Sequence, residues 1–218
     1  MVCTTFAELR REIISELKDE AQAKGLDLNQ LDIPVAPVST TTGYNVVDYF
    51  LGLKQPNAFA VHSSIGITME LYNLLTRNEL KAVIAHELGH VYFQHTRKII
   101  PLKTLMFTLP MLMDALAQLK TDSHTTRLAI RMLAALTSMS IHGVVSRSYE
   151  QQADQFAARL LKDRVSDLCS ALDKIERHMD DQCQKDPVLS FLHRTSSCKL
   201  IATHPSTESR KSAILGNK

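Results

Sequence analysis

His86-Glu87-Leu88-Gly89-His90 sets two histidines four residues apart with a glutamate between them. On an α-helix the two imidazoles project from one face, one turn apart, so both can reach a single ion while the carboxylate touches a water beside it. The chemistry this serves is metal-assisted hydrolysis. A catalytic zinc site takes three protein ligands and keeps a fourth position for water, so a third ligand must come from elsewhere. The continuation H-x-x-G-x-x-H fails, because Phe93 stands where the glycine is needed and Thr96 where the third histidine is needed. Residues 148–155 offer a carboxylate instead. There Glu150 and Asp154 share one helical face, and Ala153, Ala157 and Ala158 are small enough to let that helix approach the first closely. Glu150 can bind the ion, and Asp154 can accept a hydrogen bond from the far nitrogen of a ligand histidine and fix its tautomer. Read alone, E-x-x-x-D is a weak signal, two acids on a solvated face being its usual explanation.

These residues need rigid elements beneath them. Thr76-Arg77-Asn78-Glu79 matches a capping box and precedes Leu80, Val83, Ile84, Leu88 and Val91 on one stripe, which predicts a helix over about 77–96. Gly89 inside it costs about 1 kcal/mol against alanine, so close approach of another backbone or of substrate is expected there. Phe6, Leu9, Ile13 and Leu17 predict an amphipathic helix over about 5–24, stopped at Gly25 and packed by one face on the domain. Residues 31–64 carry short β-branched and aromatic runs broken by Pro34, Pro37, Gly43, Gly52 and Pro56, the pattern of a small sheet. Further helices are predicted near 102–119, 125–142, 147–163 and 166–183, the last with Leu168, Leu172, Ile175 and Met179 in line. The expected whole is one α+β, predominantly helical domain over 1–218: an N-terminal helix (1–30), a small sheet (31–64) and a helical part with the site (65–218).

Composition bounds the rest. The 218 residues are 44% hydrophobic and 22% charged, with no Trp, which excludes a disordered or fibrous chain. A chain of this size buries about 70% of its unfolded surface, so a metal would serve function rather than folding. The formal charge of +2 points to no nucleic-acid partner. Ile99–Leu119 is interrupted by Lys103 and Asp114 and contains Pro101 and Pro110, while Met132–Ser146 is uncharged between Arg131 and Arg147. Both fall short of the 18 or so apolar residues of a membrane span and read as buried core helices, then as membrane-surface segments. No apolar leader follows Met1, and Cys3, Cys169, Cys183 and Cys198 show no paired spacing, which suggests a reducing compartment. The expected location is the cytoplasm or the periphery of a membrane, without an integral span.

Four motifs in order, Asn57-Ala58-Phe59-Ala60, the run Glu79 to His90, Glu150 to Asp154 with its alanines, and Thr203 to Arg210 around His204-Pro205, resemble the gluzincin peptidases of the HtpX and CAAX prenyl protease type. They span about seven tenths of the chain. The resemblance implies a zinc endopeptidase in which His86, His90 and Glu150 bind one ion and Glu87 is the catalytic carboxylate. It implies that Asn57, Ala58, Phe59 and Ala60 form an edge strand over the cleft, where an extended peptide or protein substrate can add by main-chain hydrogen bonds. His204 or Arg210, delivered from the C-terminal segment, would stabilise the oxyanion; the alternative for Arg210 is a salt bridge to Asp154 or Glu150. His95 also recurs in that family; five residues from His90 its side chain is expected to point off the ligand face, which suits a surface or supporting role rather than ligation. Relatives carry transmembrane helices that this chain lacks, so residues 97–149 are expected as a compact hairpin or lid beside the site. The expected function is a zinc metalloendopeptidase. The rival from another class is a non-catalytic, zinc-containing peptide-binding or chaperone-like module, against which an intact Glu87 argues.

Overall fold

A computed structural model describes residues 6–26, 28, 34–38, 56–61, 63–185 and 205–216. The elements are α1 (Phe6–Gln22), β1 (Val35–Val38), β2 (Ala58–Val61), β3 (Ser64–Thr68), α2 (Met69–Leu74), α3 (Arg77–Tyr92), α4 (His95–Gln118), α5 (His124–Leu161), a 3₁₀ turn (Lys162–Arg164), α6 (Val165–Lys185) and α7 (Thr207–Leu215). The fold is α+β and predominantly helical, as the sequence predicts. In the sheet β3 is central, with β1 parallel on one side and β2 antiparallel on the other, so among the described residues β2 forms an edge.

The centre of the molecule is α3. Thr76 caps it in both directions of the capping box, its side chain accepting from the Glu79 backbone while Glu79 accepts from the Thr76 N–H at 2.8 Å. Nearly every residue from Glu79 to Val91 is buried, because α3 packs against β2 and β3 and against α5 and α6. A helix so enclosed must satisfy each polar side chain it carries inside. Lys81, only 2% exposed, donates from Nζ to Glu16 at 2.6 Å and to Glu20 at 3.0 Å, which moors α1. Glu79 accepts from Ser170 at 2.6 Å and Lys174 at 2.7 Å, which moors α6. Around these contacts Ile13 and Leu17 of α1, Ile65 and Ile67 of β3, Leu80, Ile84 and Leu88 of α3, and Leu160 and Leu168 form one core. The N-terminal helix therefore packs on the domain by its apolar stripe, and Gly25 ends it at a φ of +70°.

Three expectations change. The helix drawn over 77–96 ends at Tyr92, because Gln94 takes a left-handed conformation (φ 55°) and α4 starts anew at His95. The two helices drawn over 125–142 and 147–163 are one, α5, of 38 residues; Gly143 is accommodated inside it at a modest propensity cost. Most consequentially, the segments expected in the core are not there. Helix α4, which runs through Pro101 and Pro110, and the first part of α5 form a hairpin that stands almost wholly exposed, with Phe107 at 68%, Met111 at 71% and Leu133 at 66%. Both legs are long and apolar enough to cross a membrane.

Candidate active site

The motif helix and its partner meet because both backbones are stripped of bulk where they cross. A Cβ on Gly89 would lie 3.0 Å from the Ala153 Cα and 3.3 Å from its Cβ, so the two helices approach as closely as glycine and alanine allow. That contact brings Glu150, one turn before Ala153, opposite the two histidines. The Nε2 atoms of His86 and His90 are 3.2 Å apart, and each lies 3.5 Å from a carboxylate oxygen of Glu150. Three ligands at about 2.1 Å around a tetrahedral zinc ion would be about 3.4 Å from one another. The Glu150 separations are to different oxygens, Oε2 for His86 and Oε1 for His90, so the carboxylate straddles the point the two rings face; among the described residues these three are the group that could hold a metal.

The outer nitrogens fix the tautomers. His86 Nδ1 lies 2.9 Å from Asp154 Oδ1, and His90 Nδ1 lies 3.0 Å from His95 Nδ1. With Nδ1 of each ring turned to an outer partner, both Nε2 atoms point inward, beside a carboxylate. Burial disfavours a charged His86, but the hydrogen bonds to Asp154 and Glu150 outweigh it and raise its pKa to about 9. Without an ion His86 thus holds a proton on Nε2 beside Glu150, and a metal bound at the centre would take that proton's place.

Arg210, on α7, reaches back to the same cluster. It donates to Asp154 through Nε at 2.8 Å and Nη2 at 2.7 Å, and its Nη1 is 3.7 Å from Glu150 Oε2. The structure thus brings Arg210 into the salt bridge with Asp154. Burial alone would weaken its charge, but the Asp154 hydrogen bond and the carboxylates around it raise its pKa above the ordinary value. His204, the other residue assigned to the oxyanion, lies outside the described residues.

A cleft of about 470 Å³ opens over the trio, lined on one side by Asn57 to Ala60 and on the other by Leu168, Leu172 and Ile175 of α6. Glu87 faces it. The edge strand is held at two points. The Phe59 ring lies on Gly66 across the β2–β3 pair, where an added Cβ would collide at 2.5 Å, and Thr96 of α4 donates to the Ala60 carbonyl at 2.8 Å. Because Asn57 O accepts from Thr68 N, ladder alternation turns the main-chain groups of Ala58 and Ala60 toward the open edge. The apolar stripe of α6 reads from the sequence as core; part of it is cleft wall. Lys103 and Thr96 carried no motif, and only the fold brings them to the site.

A His-His-Glu trio that could hold a metal, on two crossed helices and beside the β2 strand, is the arrangement of a metallopeptidase site. Residues 28–218 match Peptidase family M48, and the chain belongs to that family of metallopeptidases. A protein named "Protease HtpX homolog" from Ralstonia pickettii (strain 12J) is 31% identical over 193 residues, covering 77% of this chain and 66% of its own length. The protein of the same name from Burkholderia mallei (strain SAVP1) is 27% identical with the same coverage. The chain therefore spans just under two thirds of the length of the curated relatives it matches. The crystal structure of S. mikatae Ste24p superposes with a TM-score of 0.53 at 22% identity, over 95% of this chain and 49% of that one, a likeness of fold.

Proposed function

We propose that this chain is a zinc endopeptidase that works at a membrane surface. The observation that carries the first half is the set of separations among His86, His90 and Glu150, 3.2, 3.5 and 3.5 Å, which suits a tetrahedral ion. A zinc ion held by these three supplies Lewis-acid polarisation of the scissile carbonyl and acidifies the attacking water. Glu87, between the two ligands and facing the cleft, takes the proton of that water and returns it to the leaving amine. Asp154, itself gripped by Arg210, holds His86 with its Nε2 inward. The main-chain groups of Ala58 and the Ala60 N–H accept an extended substrate backbone, the Ala60 carbonyl being engaged by Thr96. The apolar wall of Leu168, Leu172 and Ile175 takes side chains of the bound peptide. His204 remains a proposed donor to the oxyanion.

The second half rests on the hairpin. A long, mainly apolar helix belongs in a protein core or in lipid; α4, with only Lys103 and Asp114 charged between Ile99 and Gln118, and the first part of α5 are not in the core. At 24 residues α4 is about 36 Å long, against about 30 Å of bilayer hydrocarbon. Near the tip Arg127 and Asp114 pair at 3.2 Å, so charge there is matched within the hairpin. A lipid bilayer is the environment these surfaces fit, in place of the peripheral contact expected from sequence.

The test is direct. Wild type and Glu87→Gln, purified in detergent, are compared for zinc by elemental analysis and for cleavage of denatured casein. Stoichiometric zinc in both, with cleavage lost in the variant and lost on chelation in the wild type, is expected. Full activity in Glu87→Gln, or no zinc in the wild type, overturns the reading.

A further inference from the structure

We propose that His95 is a positioning residue for the metal centre: it fixes the tautomer and ring plane of His90 through an imidazole–imidazole hydrogen bond. The inference rests on the reading of His86, His90 and Glu150 as metal ligands. Five residues along an unbroken helix, the His95 side chain would be turned about 140° away from that of His90. The left-handed Gln94 breaks the helix and starts α4 in a new direction, which returns the His95 ring to the outer side of His90. Backbone in that region disfavours a non-glycine residue, so the break needs support from what it positions.

The placement leaves the ring little freedom. Tyr149 stacks on it at 4.3 Å and 6°, Phe93 lies at 5.5 Å and 22°, and the residue is 3% exposed. His95 Nδ1 is 3.0 Å from His90 Nδ1, and His95 Nε2 is 3.3 Å from Gln152 Oε1. The proton positions follow in sequence. For His90 to present a bare Nε2 to the ion, its Nδ1 must carry the hydrogen and donate it. His95 Nδ1 is then the acceptor, so the His95 hydrogen sits on Nε2 and donates to the Gln152 carbonyl. The Gln152 amide in turn donates to Ser148 Oγ at 3.4 Å. Each assignment is dictated by the one before it, and the relay returns to α5, the helix that carries Glu150.

The two ligand histidines are thus held differently. His86 is backed by a carboxylate that shares its charge with Arg210, whereas His90 is backed by a neutral ring. A neutral support orients His90 without adding a further negative charge to a cluster that already contains Glu87, Glu150 and Asp154. Supporting partners of this kind are worth about 10–100-fold in metal affinity.

The experiment measures zinc affinity by chelator competition, together with the cobalt(II) visible spectrum, in the full chain in detergent. His95→Phe keeps a ring between Tyr149 and Phe93 but removes the acceptor. It is expected to weaken zinc binding 10–100-fold and to alter the cobalt spectrum. His95→Asn, whose Oδ1 can take the place of Nδ1, is expected to recover most of the affinity. Should His95→Phe fail to fold, Gln152→Leu at an exposed position interrupts the same relay and is expected to weaken binding at least threefold. Wild-type affinity in His95→Phe, or equal losses in His95→Phe and His95→Asn, would overturn the inference while a metal-binding wild type leaves the peptidase reading standing. A wild type that binds no zinc overturns both.

Discussion

Gly89 and Ala153 touch where the motif helix crosses the helix that supplies Glu150: a Cβ at residue 89 would stand 3.0 Å from the Ala153 Cα. The third ligand is placed by that contact, because Glu150 lies one turn away on the same rigid helix.

Gly89→Ala should therefore separate stability from metal binding. Alanine gains about 1 kcal/mol of helix propensity, but α5 must give by a few tenths of an ångström and carry Glu150 with it. The expected result is an unfolding midpoint close to that of the wild type with zinc affinity reduced at least tenfold, read by chelator competition. Wild-type affinity would show that the crossing has slack.

Glu79 gives a pH signature. Burial raises its pKa, but hydrogen bonds from Lys174, Ser170 and Thr76 outweigh this and bring it from 4.5 to about 2. A carboxylate more acidic in the folded chain stabilises the fold above the unfolded pKa. That contribution, at most about 3 kcal/mol, is lost as pH falls from about 4.5 toward 2. Glu79→Gln should be less stable than the wild type at pH 7 in urea unfolding, and the gap should narrow as pH falls below about 4.5 and close only below about pH 2. A gap independent of pH would assign the effect to packing.

Arg210 is the cation that allows Asp154 to be buried. Arg210→Met leaves that carboxylate without its bidentate partner, a loss of about 3–5 kcal/mol for a buried pair broken on one side. Arg210→Lys keeps the charge without the fork and should fall between. Urea midpoints for the three proteins give the order, and a methionine variant as stable as the wild type would remove Arg210 from this role.

For the hairpin, Met111→Lys combined with Leu133→Lys places two ammonium groups on its exposed face. The wild type is expected to float with phosphatidylcholine vesicles in a density gradient and to resist carbonate extraction. The double variant should lose both properties while keeping zinc. A wild type that stays at the bottom of the gradient would contradict the membrane reading.

What the sequence made legible was local. His86, Glu87 and His90 share a helix face by spacing alone, and the Thr76–Glu79 box marks its start. Glu150 was accessible because Ala153 and Ala157 advertise a close crossing, and β2 lies at the edge where the Asn57–Ala60 motif put it. What stayed hidden depends on the fold. Gln94 has neither glycine's freedom nor a proline neighbour to announce a left-handed turn, so the helix appeared to continue and His95 to point away. Leu168, Leu172 and Ile175 have the periodicity of a core stripe whether the facing surface is protein or a cleft. The hairpin legs have a composition that suits burial in protein as well as in lipid, and exposure, the property that decides between them, is not written in periodicity.

Helix α5 runs without a joint from His124 to Leu161, so its hairpin leg and its ligand turn move as one rod. Ser146, the end of the uncharged apolar stretch, is four residues from Glu150, about 6 Å along the axis. On the membrane reading, this makes the molecule a gauge: the bond it cuts is selected by height above the lipid. On that same reading a strand edge that grips main chain would hold whatever segment lies at that level, and the wall of Leu168, Leu172 and Ile175 would favour apolar side chains within it.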